Sequence, residues 1–183
     1  MRIEIVNDLA PELITMFRDL YRDSFAGMDE RAAARQSLTD DEFVEEMGHP
    51  SVVKWLCWTS DDNPAALAFM TTDLTHLPWV SAAYYDARFP DHAARRAIHY
   101  FGGLVVHPDH RGGHAYRAVL LSLLEHAAER DAIIAFDCCA FNVDQVRLPQ
   151  TLAKLASRVG TLNAHEIDVQ RYYAYEMSLK AAS

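Results

Sequence analysis

The residues best suited to chemistry lie together at positions 104–116, where an apolar run is followed by a proline, a glycine pair and a second apolar run. This order predicts a buried strand that ends in a tight turn and leads directly into a helix. The first N–H groups of a helix have no intrahelical partners, and the helix dipole makes that end electropositive. Gly112 and Gly113 would let an anion approach the backbone, and Arg111 and Arg117 would add positive charge. The sequence therefore predicts a phosphate-binding turn.

The elements that must position this turn alternate between strand and helix patterns, which is typical of an α/β domain built on a mixed sheet. Helix starts are marked by Pro11 and by the capping-box pair Thr39 and Glu42. Strands are predicted at Arg2–Val6, Val52–Thr59, Ala65–Thr72, Ile98–Val106, Ala132–Phe141 and within Glu166–Leu179. Helices are predicted from Pro11 to Tyr21, from Thr39 to Met47, from His114 to Arg130 and from Gln150 to Val159.

The connection at residues 74–97 is too long for a compact hairpin and is rich in aromatic side chains. Connections of this length are often lids or binding loops. A short helix packed by its own aromatic anchors accounts for the pattern equally well, and both interpretations stay open at this point. The aromatic residues concerned are Trp79, Tyr84, Tyr85 and Phe89.

Length and composition narrow the class of protein. The 183 residues suit a single domain, and half of them are hydrophobic, which is enough to bury a core without metal or disulfide support. A net charge of −9 argues against nucleic acid and anionic membrane surfaces as partners, because both attract basic surfaces. No apolar run is long enough to span a bilayer, and the first residues lack a signal-peptide pattern. We therefore expect one cytoplasmic domain over residues 1–183.

From Val106 onward the chain resembles the GNAT superfamily of N-acetyltransferases, in which a V-x-P strand leads into Q/R-x-x-G-x-G/A and then a helix. Val106–Pro108 and Arg111–Gly112 match that pattern. The resemblance implies a GNAT-type acyl-CoA N-acyltransferase fold, α/β with a mixed central sheet flanked by helices, and acetyl-CoA or another acyl-CoA as co-substrate without a metal. It also implies that the loop holds the pyrophosphate while the strand backbone pairs with the pantetheine arm. The implied donor-binding residues are Leu104, Val105, Val106, His110, Arg111, Gly112, Gly113, His114, Ala115, Tyr116 and Asn142.

The loop departs from the family pattern at its glycine positions. In one register these positions hold His114 and Tyr116, whose side chains would crowd a pyrophosphate. In a register one residue shorter they hold Gly113 and Ala115, and His110 stands where Gln or Arg is usual. We favour the second register because it keeps small residues where the ligand approaches the backbone. Some relatives take the acyl group from a carrier protein, and a weakened pyrophosphate loop would suit that donor.

Acyl transfer to an amine needs a base for the attacking ammonium, donors for the oxyanion and an acid for the departing thiolate. The family often places its base on the strand ahead of V-x-P, which is the position of Tyr100, with His99 beside it. Strand parity puts these two side chains on opposite faces unless a bulge intervenes. Asp137 interrupts an apolar run, so its carboxylate is paired, open to a cleft or shifted in pKa. We take His99, Tyr100 and Asp137 as catalytic candidates, each of which a structural role would also explain.

The tyrosine that commonly protonates the leaving thiolate in the family is missing from the helix that follows Asn142. One of Tyr172, Tyr173 and Tyr175 could replace it, whereas core packing accounts for at least two of them. The sequence leaves the identity of the acid open.

Metal and cysteine chemistry are weaker hypotheses. His107, His110 and His114 cross a turn into a helix start and have no recognised zinc spacing. Cys138 and Cys139, predicted on opposite faces of a strand, are typical of buried inert thiols rather than of a nucleophile.

The leading hypothesis is an N-acyltransferase that moves an acetyl or other acyl group from acyl-CoA to an amine of a small molecule or peptide by direct attack. Two alternatives stay open: the same chemistry with an acyl-carrier-protein donor, and a non-catalytic ligand-binding module on the same fold. Many relatives form homodimers, which nothing in the sequence decides. An acidic protein holds a polyanionic donor only where positive charge is concentrated, so we expect Arg95, Arg96, Arg111 and Arg117 to converge.

Overall fold

The centre of the molecule, a computed structural model that describes residues 1–178, is a five-stranded sheet in the order β1-β2-β3-β4-β5. The first four strands pair antiparallel, and β5 pairs parallel to β4. The strands are β1 (Arg2–Val6), β2 (Val52–Trp58), β3 (Pro64–Thr71), β4 (Ile98–Val106) and β5 (Ile133–Ala135). The predicted α/β fold with a mixed central sheet is confirmed.

Helices cover both faces of this sheet. The first two pack on one face, and the fifth and seventh pack on the other. None of the helices in the described residues is long and apolar enough to cross a bilayer. The helices are α1 (Pro11–Phe25), α2 (Asp40–Gly48), α3 (Ala82–Arg88), α4 (Pro90–Ala94), α5 (His114–Ala128), α6 (Ala140–Asp144) and α7 (Leu148–Val159).

Alternation along the strands divides the core between the two faces. On β2, Trp55 packs toward α5 with Leu120 and Leu123, whereas the next residue, Leu56, packs toward α1 with Phe17. All five side chains are buried to 1% exposure or less, so β2 has apolar neighbours on both faces. This burial explains why its sequence reads as a nearly continuous apolar run.

The strand predicted at Ala132–Phe141 is wrong beyond Ala135. β5 has only three residues, after which the chain leaves the sheet and enters α6. Phe136 still packs into the core, its ring centroid 6.4 Å from that of Phe101. The apolar run therefore reports burial rather than strand pairing, and periodicity does not separate the two.

The strand predicted within Glu166–Leu179 is absent from the part of the chain that the structure describes, where residues 161–178 have no regular secondary structure. Leu179 itself lies outside the described residues. Tyr172, Tyr173 and Tyr175 are exposed, so the expected core packing of these tyrosines is also wrong. Aromatic strand formers alone do not make a strand without a partner edge that pairs with them.

Helix boundaries also differ from the sequence expectation, and α1 ends at Phe25 rather than at Tyr21. α7 begins at Leu148 rather than at Gln150, because a proline is accepted in the first turn of a helix, where its missing N–H is not needed. The connection at residues 74–97 folds into a 3₁₀ turn followed by α3 and α4. Tyr85 and Phe89 pack there against Tyr100, which agrees with the packed-helix interpretation.

Candidate active site

The first feature of the site is an opening between β4 and β5. Ile98–Tyr100 pair with Ile133–Ala135, but β5 ends there while β4 continues to Val106. Within residues 1–178, no strand pairs with the β5-facing edge of β4 from Phe101 onward. The N–H and C=O groups along that edge can pair with an extended ligand, except for the Val106 carbonyl, which accepts a hydrogen bond from the Ser24 hydroxyl at 3.3 Å.

A β-bulge shapes the same stretch of β4. Met70 of β3 pairs with Phe101 and Phe69 pairs with Gly103, so Gly102 is the extra residue. A Cβ atom on Gly102 would lie 2.5 Å from Cε2 of Phe69, and one on Gly103 would lie 3.0 Å from that ring. The Phe69 ring therefore occupies the space that side chains at the two glycines would need, and the backbone at Gly102 is exposed.

These two glycines were not singled out as site residues from the sequence. The signal was available, because adjacent glycines inside an apolar strand pattern indicate a bulge or a close backbone approach. Gly102 and Gly103 extend the candidate donor edge formed by Leu104, Val105 and Val106 toward Tyr100.

The glycine turn lies at the far end of this edge. A 3₁₀ turn, Pro108–His110, follows β4, and α5 then starts at His114 with Gly113 as its N-cap. Gly112 adopts φ +73°, a left-handed conformation that favours glycine. The Gly113 N–H is used within the turn, donating to the carbonyl of His110 at 3.2 Å. The N–H groups of the first α5 turn, which follow it, remain available for an anion.

The turn also bears on the two motif registers. Ala115 is fully buried against the sheet, so a small residue is needed there for packing, and His114 is exposed at the first position of α5. A Cβ on Gly113 would lie 3.2 Å from the His110 carbonyl oxygen. The small residues of the shorter register, Gly113 and Ala115, thus both have structural reasons to be small. Tyr116 is half-buried behind them, and burial raises the pKa of its hydroxyl.

Positive charge does not converge at the turn as expected. Arg111 and Arg117 are exposed beside it, but Arg95 and Arg96 precede β4 and lie at the opposite end of the sheet. Arg95 donates hydrogen bonds to the carbonyls of Arg130 and Asp131. The expectation fails because β4, about 26 Å long at 3.3 Å per residue, separates the two pairs.

Two of the three catalytic candidates meet where β4 and β5 diverge. Tyr100 is the last β4 residue that pairs with β5, and Asp137 lies two residues beyond the end of β5. The Tyr100 hydroxyl donates a short hydrogen bond to Oδ1 of Asp137. Burial, reinforced by that carboxylate, raises the pKa of Tyr100 far above its usual value, so the hydroxyl stays protonated. Tyr100 is buried, whereas Asp137 is exposed at the opening.

His99 lies apart from this pair. It faces α5, where its ring centroid is 5.8 Å from that of His126, while Tyr100 faces the aromatic connection. The bulge comes after both residues, so it does not bring them to one face. Burial lowers the pKa of His99 to about 4, which keeps the imidazole neutral at ordinary pH.

The remaining predicted residues follow β5 and lie on or just before α6. Asn142 is half-buried on α6, and Cys139 is the N-cap of the same helix. The guanidinium of Arg31, from the segment between α1 and α2, lies 4.7 Å from the centroid of the Phe141 ring. This cation–π contact joins that segment to α6. Cys138 and Cys139 follow β5 rather than lying within a strand, and burial raises the pKa of the Cys138 thiol.

No cluster of three or more His, Cys, Asp or Glu side chains within residues 1–178 is arranged to hold a metal ion. His107 is instead used within the turn, where its Nδ1 accepts a hydrogen bond from the N–H of Asp109 at 3.3 Å. Within the described part of the chain, His107, His110 and His114 therefore lie on one turn but are not arranged around a common metal position.

Comparison with solved structures places this geometry in a known fold. AAC(6')-Iy in complex with the bisubstrate analog CoA-S-monomethyl-acetylneamine is 11% identical with a TM-score of 0.54, covering 95% of this chain and 100% of that one. An aminoglycoside acetyltransferase from an uncultured soil metagenomic sample, in complex with sisomicin, is 13% identical with a TM-score of 0.54, covering 96% of each chain. The ribosomal-protein-S18-alanine N-acetyltransferase from Escherichia coli is 15% identical with a TM-score of 0.52, covering 82% of this chain and 76% of that one.

No family model and no curated protein sequence matches the chain. The fold is therefore assigned from the structural likeness. Sequence identities this low support the fold alone. The protein has the GNAT acetyltransferase fold, as its V-x-P strand and glycine turn predicted.

Proposed function

We propose that the protein is an N-acyltransferase that transfers an acyl group from acyl-CoA to an amine. The observation that carries this proposal is the open edge of β4. This edge runs from the Tyr100–Asp137 pair to the glycine turn. An extended thioester donor needs such a strip, with an anion site at one end and proton-transfer groups at the other. Solved proteins of this fold that are N-acetyltransferases, one holding a CoA bisubstrate analog, support the assignment.

The donor end is assigned to backbone groups and two arginines. The N–H groups at the start of α5, with Arg111 and Arg117 beside them, would hold the donor phosphates. The free edge at Leu104–Val106 would pair with the amide groups of the pantetheine arm. Gly102, exposed and without a side chain, would let the thioester approach the strand.

Proton transfer is assigned to Asp137. The acceptor arrives as an ammonium, which the exposed carboxylate attracts and whose first proton it takes, directly or through water, and passes to solvent. The amine lone pair then attacks the thioester carbon, the C–S bond breaks, and the second nitrogen proton goes to the sulfur. Tyr100 acts as a positioning residue, because its hydrogen bond holds the carboxylate at the opening. His99 has no step in this scheme.

The acceptor is proposed to be a cationic small-molecule amine. Asp137 at the opening and the net charge of −9 favour a positively charged acceptor over an anionic one. The aromatic side chains of Tyr85 and Phe141 near the opening would suit the apolar body of such an amine. Proteins of this fold in complex with sisomicin and with an acetylneamine conjugate of CoA support that class.

Calorimetry with acetyl-CoA tests the donor site directly. We expect the unmodified protein to bind acetyl-CoA and Gly113→Trp to lose binding, because the indole would fill the space beside the first α5 turn. Gly160→Trp is the matched control, since a Cβ at Gly160 meets nothing within 4 Å. Absence of acetyl-CoA binding in the unmodified protein, or equal binding in both variants, would contradict the proposed donor site.

Turnover is tested by thiol release from acetyl-CoA over a panel of aminoglycosides, polyamines and peptide amines, corrected for hydrolysis. Release that depends on an amine supports the acyltransferase. Acetyl-CoA binding without turnover on any amine would instead favour a non-catalytic module.

A carrier-protein donor is the second candidate. The observation that favours it is the separation of Arg95 and Arg96 from the glycine turn, which leaves Arg111 and Arg117 as the arginines named for phosphate binding. A phosphopantetheine arm on a carrier protein brings fewer phosphates than CoA and needs less positive charge. Turnover with an acylated carrier protein, together with none from acyl-CoA, would select this donor.

A further inference from the structure

A cavity of about 560 Å³ lies at the end of the sheet opposite the glycine turn. It is formed on the α5 face, where β4 begins and α5 ends. Its lining combines apolar residues from the strands with arginine and histidine side chains. Among them are Val53, Met70, Arg96, His99, His126 and Arg130.

This cavity is separate from the proposed acyl-transfer site. His99 faces it from the side of β4 opposite Tyr100, and the glycine turn lies at the other end of both β4 and α5. The 15 residues of α5 alone span about 22 Å. A ligand in the cavity would touch neither Asp137 nor the turn.

The arginines at the cavity are not equivalent. Arg95 is committed to the end of α5, where it also pairs with the carboxylate of Asp131 at 3.1 Å. Arg130 donates to the His126 carbonyl and lies 3.5 Å from the carboxylate of Glu129. The Arg96 guanidinium makes no hydrogen bond or ion pair with any of residues 1–178, although the carboxylate of Asp73 is close enough to feel its charge.

The backbone at Arg96 adds a second, independent observation. Arg96 follows α4 in the left-handed region at φ 54°, and its N–H and that of Ala97 close the helix end on Ala93 and His92. Glycine is the usual residue in this helix-ending position, because the side chain of any other L-residue is strained there. A strained arginine without a partner, at the rim of a cavity, is consistent with selection for its charge rather than for local stability.

The imidazoles complete the polar wall. His99 is only 4% exposed, and its Nδ1 has no hydrogen-bond partner among the described residues. His126 lies beside it, and burial lowers the pKa of both rings, so neither carries charge at neutral pH. A buried polar atom without a partner is expensive, and Nδ1 of His99 is itself closed to solvent, so the ring would report a ligand beside it rather than contact the ligand through this atom.

We propose that this cavity is a second ligand site, which binds a small organic carboxylate with a compact apolar body. The planar guanidinium of Arg96 fits a carboxylate with two parallel hydrogen bonds, and Arg130 adds positive charge to the lining. Val53, which is only half-buried, would contact the apolar body. The volume is within the usual range for small-molecule sites.

The test is calorimetric titration of the full chain with 2-naphthoate, its neutral amide and inorganic phosphate. We expect 2-naphthoate to bind and the amide to bind at least tenfold more weakly. Arg96→Gln weakens 2-naphthoate binding at least tenfold, and Arg158→Gln, which removes an exposed arginine on α7, leaves it unchanged. Imidazole nitrogen resonances of His99 and His126 shift on binding.

A second variant keeps the test decisive if Arg96 also has a structural role. Arg96→Gly relieves the left-handed strain, so it raises the melting temperature by about 2–4 °C while abolishing 2-naphthoate binding. No binding of 2-naphthoate, equal affinity for the amide, binding of phosphate alone, or unchanged affinity in both Arg96 variants would each overturn the proposal.

Discussion

The two halves of β4 have opposite surroundings. Ile98–Tyr100 lie between β3 and β5 and have strand partners on both edges, whereas Phe101–Val106 pair with β3 alone. The first half is buried without exception, and the second exposes backbone at Gly102. Within one strand, the chain thus changes from a structural element to a surface that can pair with a ligand. The boundary between the halves is where Tyr100 meets Asp137.

This difference sorts the candidate residues by location. In the paired half, burial determines the pKa of a titratable group such as His99. Groups at the boundary or beyond it, such as Asp137 and Gly102, are accessible. Substitutions of accessible polar groups such as Asp137 are therefore expected to change turnover. Substitutions that disturb buried side chains, such as His99 or the Phe69 ring behind Gly102, are expected to change stability.

The largest effect is expected at the boundary. Asp137→Asn removes the proposed proton acceptor, so kcat for amine-dependent thiol release falls about 100-fold. The Kd for acetyl-CoA stays unchanged, because the donor is held by the edge and the turn. Steady-state kinetics and calorimetry measure the two quantities.

Asp144→Asn, an exposed carboxylate on α6, is the matched control and keeps full activity. A kcat for Asp137→Asn within twofold of the unmodified enzyme would remove Asp137 from the mechanism.

The next largest effect, a loss of stability, is expected at the β-bulge. In Gly102→Ala the added methyl group would lie 2.5 Å from the buried Phe69 ring, so the free energy of unfolding falls by about 1–3 kcal/mol. Urea denaturation measures it. Gly160→Ala, where a Cβ meets nothing within 4 Å, is the control. In a Phe69→Leu background, Gly102→Ala lowers the free energy of unfolding by less than it does in the unmodified protein, because the smaller side chain leaves room for the methyl group. Equal stability of Gly102→Ala and Gly160→Ala would show that the Phe69 ring moves aside without cost.

His99 makes the paired half sensitive to acid. Its pKa is about 4 in the folded protein against about 6.5 unfolded, so the unfolded chain binds the extra proton between these values. The free energy of unfolding therefore falls as pH is lowered through this window, by about 1–2 kcal/mol from this residue between pH 6.5 and 5.

His99→Leu should lose that part of the pH dependence, measured by urea denaturation at pH 7 and pH 5. His165→Leu, at an exposed histidine, should retain it. The same slope in His99→Leu and the unmodified protein would mean that the buried imidazole is not the source.

The smallest effect is expected at the glycine turn. Gly112→Ala forces a side chain into φ +73° and lowers the free energy of unfolding by about 1 kcal/mol. Gly113→Ala has no positive φ to overcome, and its Cβ, 3.2 Å from the His110 carbonyl oxygen, needs a shift of only a few tenths of an ångström, so this variant is less destabilising. Thermal denaturation of the two variants measures the difference, and a reversal of their order would contradict the conformation described for the turn.

Much of the fold was predictable because its signals are local. The strand-proline-glycine-helix order around Pro108 and the capping box at Thr39 depend on residues a few positions apart, and both occur as predicted. The length of β5 was not predictable, because an apolar run such as 132–141 records burial without saying whether a neighbouring strand pairs with it.

The candidate site was predictable in part for the same reason. Strand parity separated His99 from Tyr100, and the structure places them on opposite faces. The hydrogen bond between Tyr100 and Asp137 joins residues 37 positions apart, so no local pattern reveals it. The expected convergence of Arg95 and Arg96 with the glycine turn failed because sequence does not state at which end of a strand a charge lies relative to a distant one.

By itself, the sequence determined the α/β fold, the glycine turn between β4 and α5 and the net negative charge, since these follow from composition and from short-range order. Only the tertiary structure decided which edge of β4 is open, that Asp137 meets Tyr100 there, and that Arg96 and His99 belong to a separate cavity. The physical reason is that pairing and burial depend on which distant segment covers each surface. For the same reason, Arg95 and Arg96 lie at the cavity whereas Arg111 and Arg117 lie beside the glycine turn, at the opposite end of the sheet.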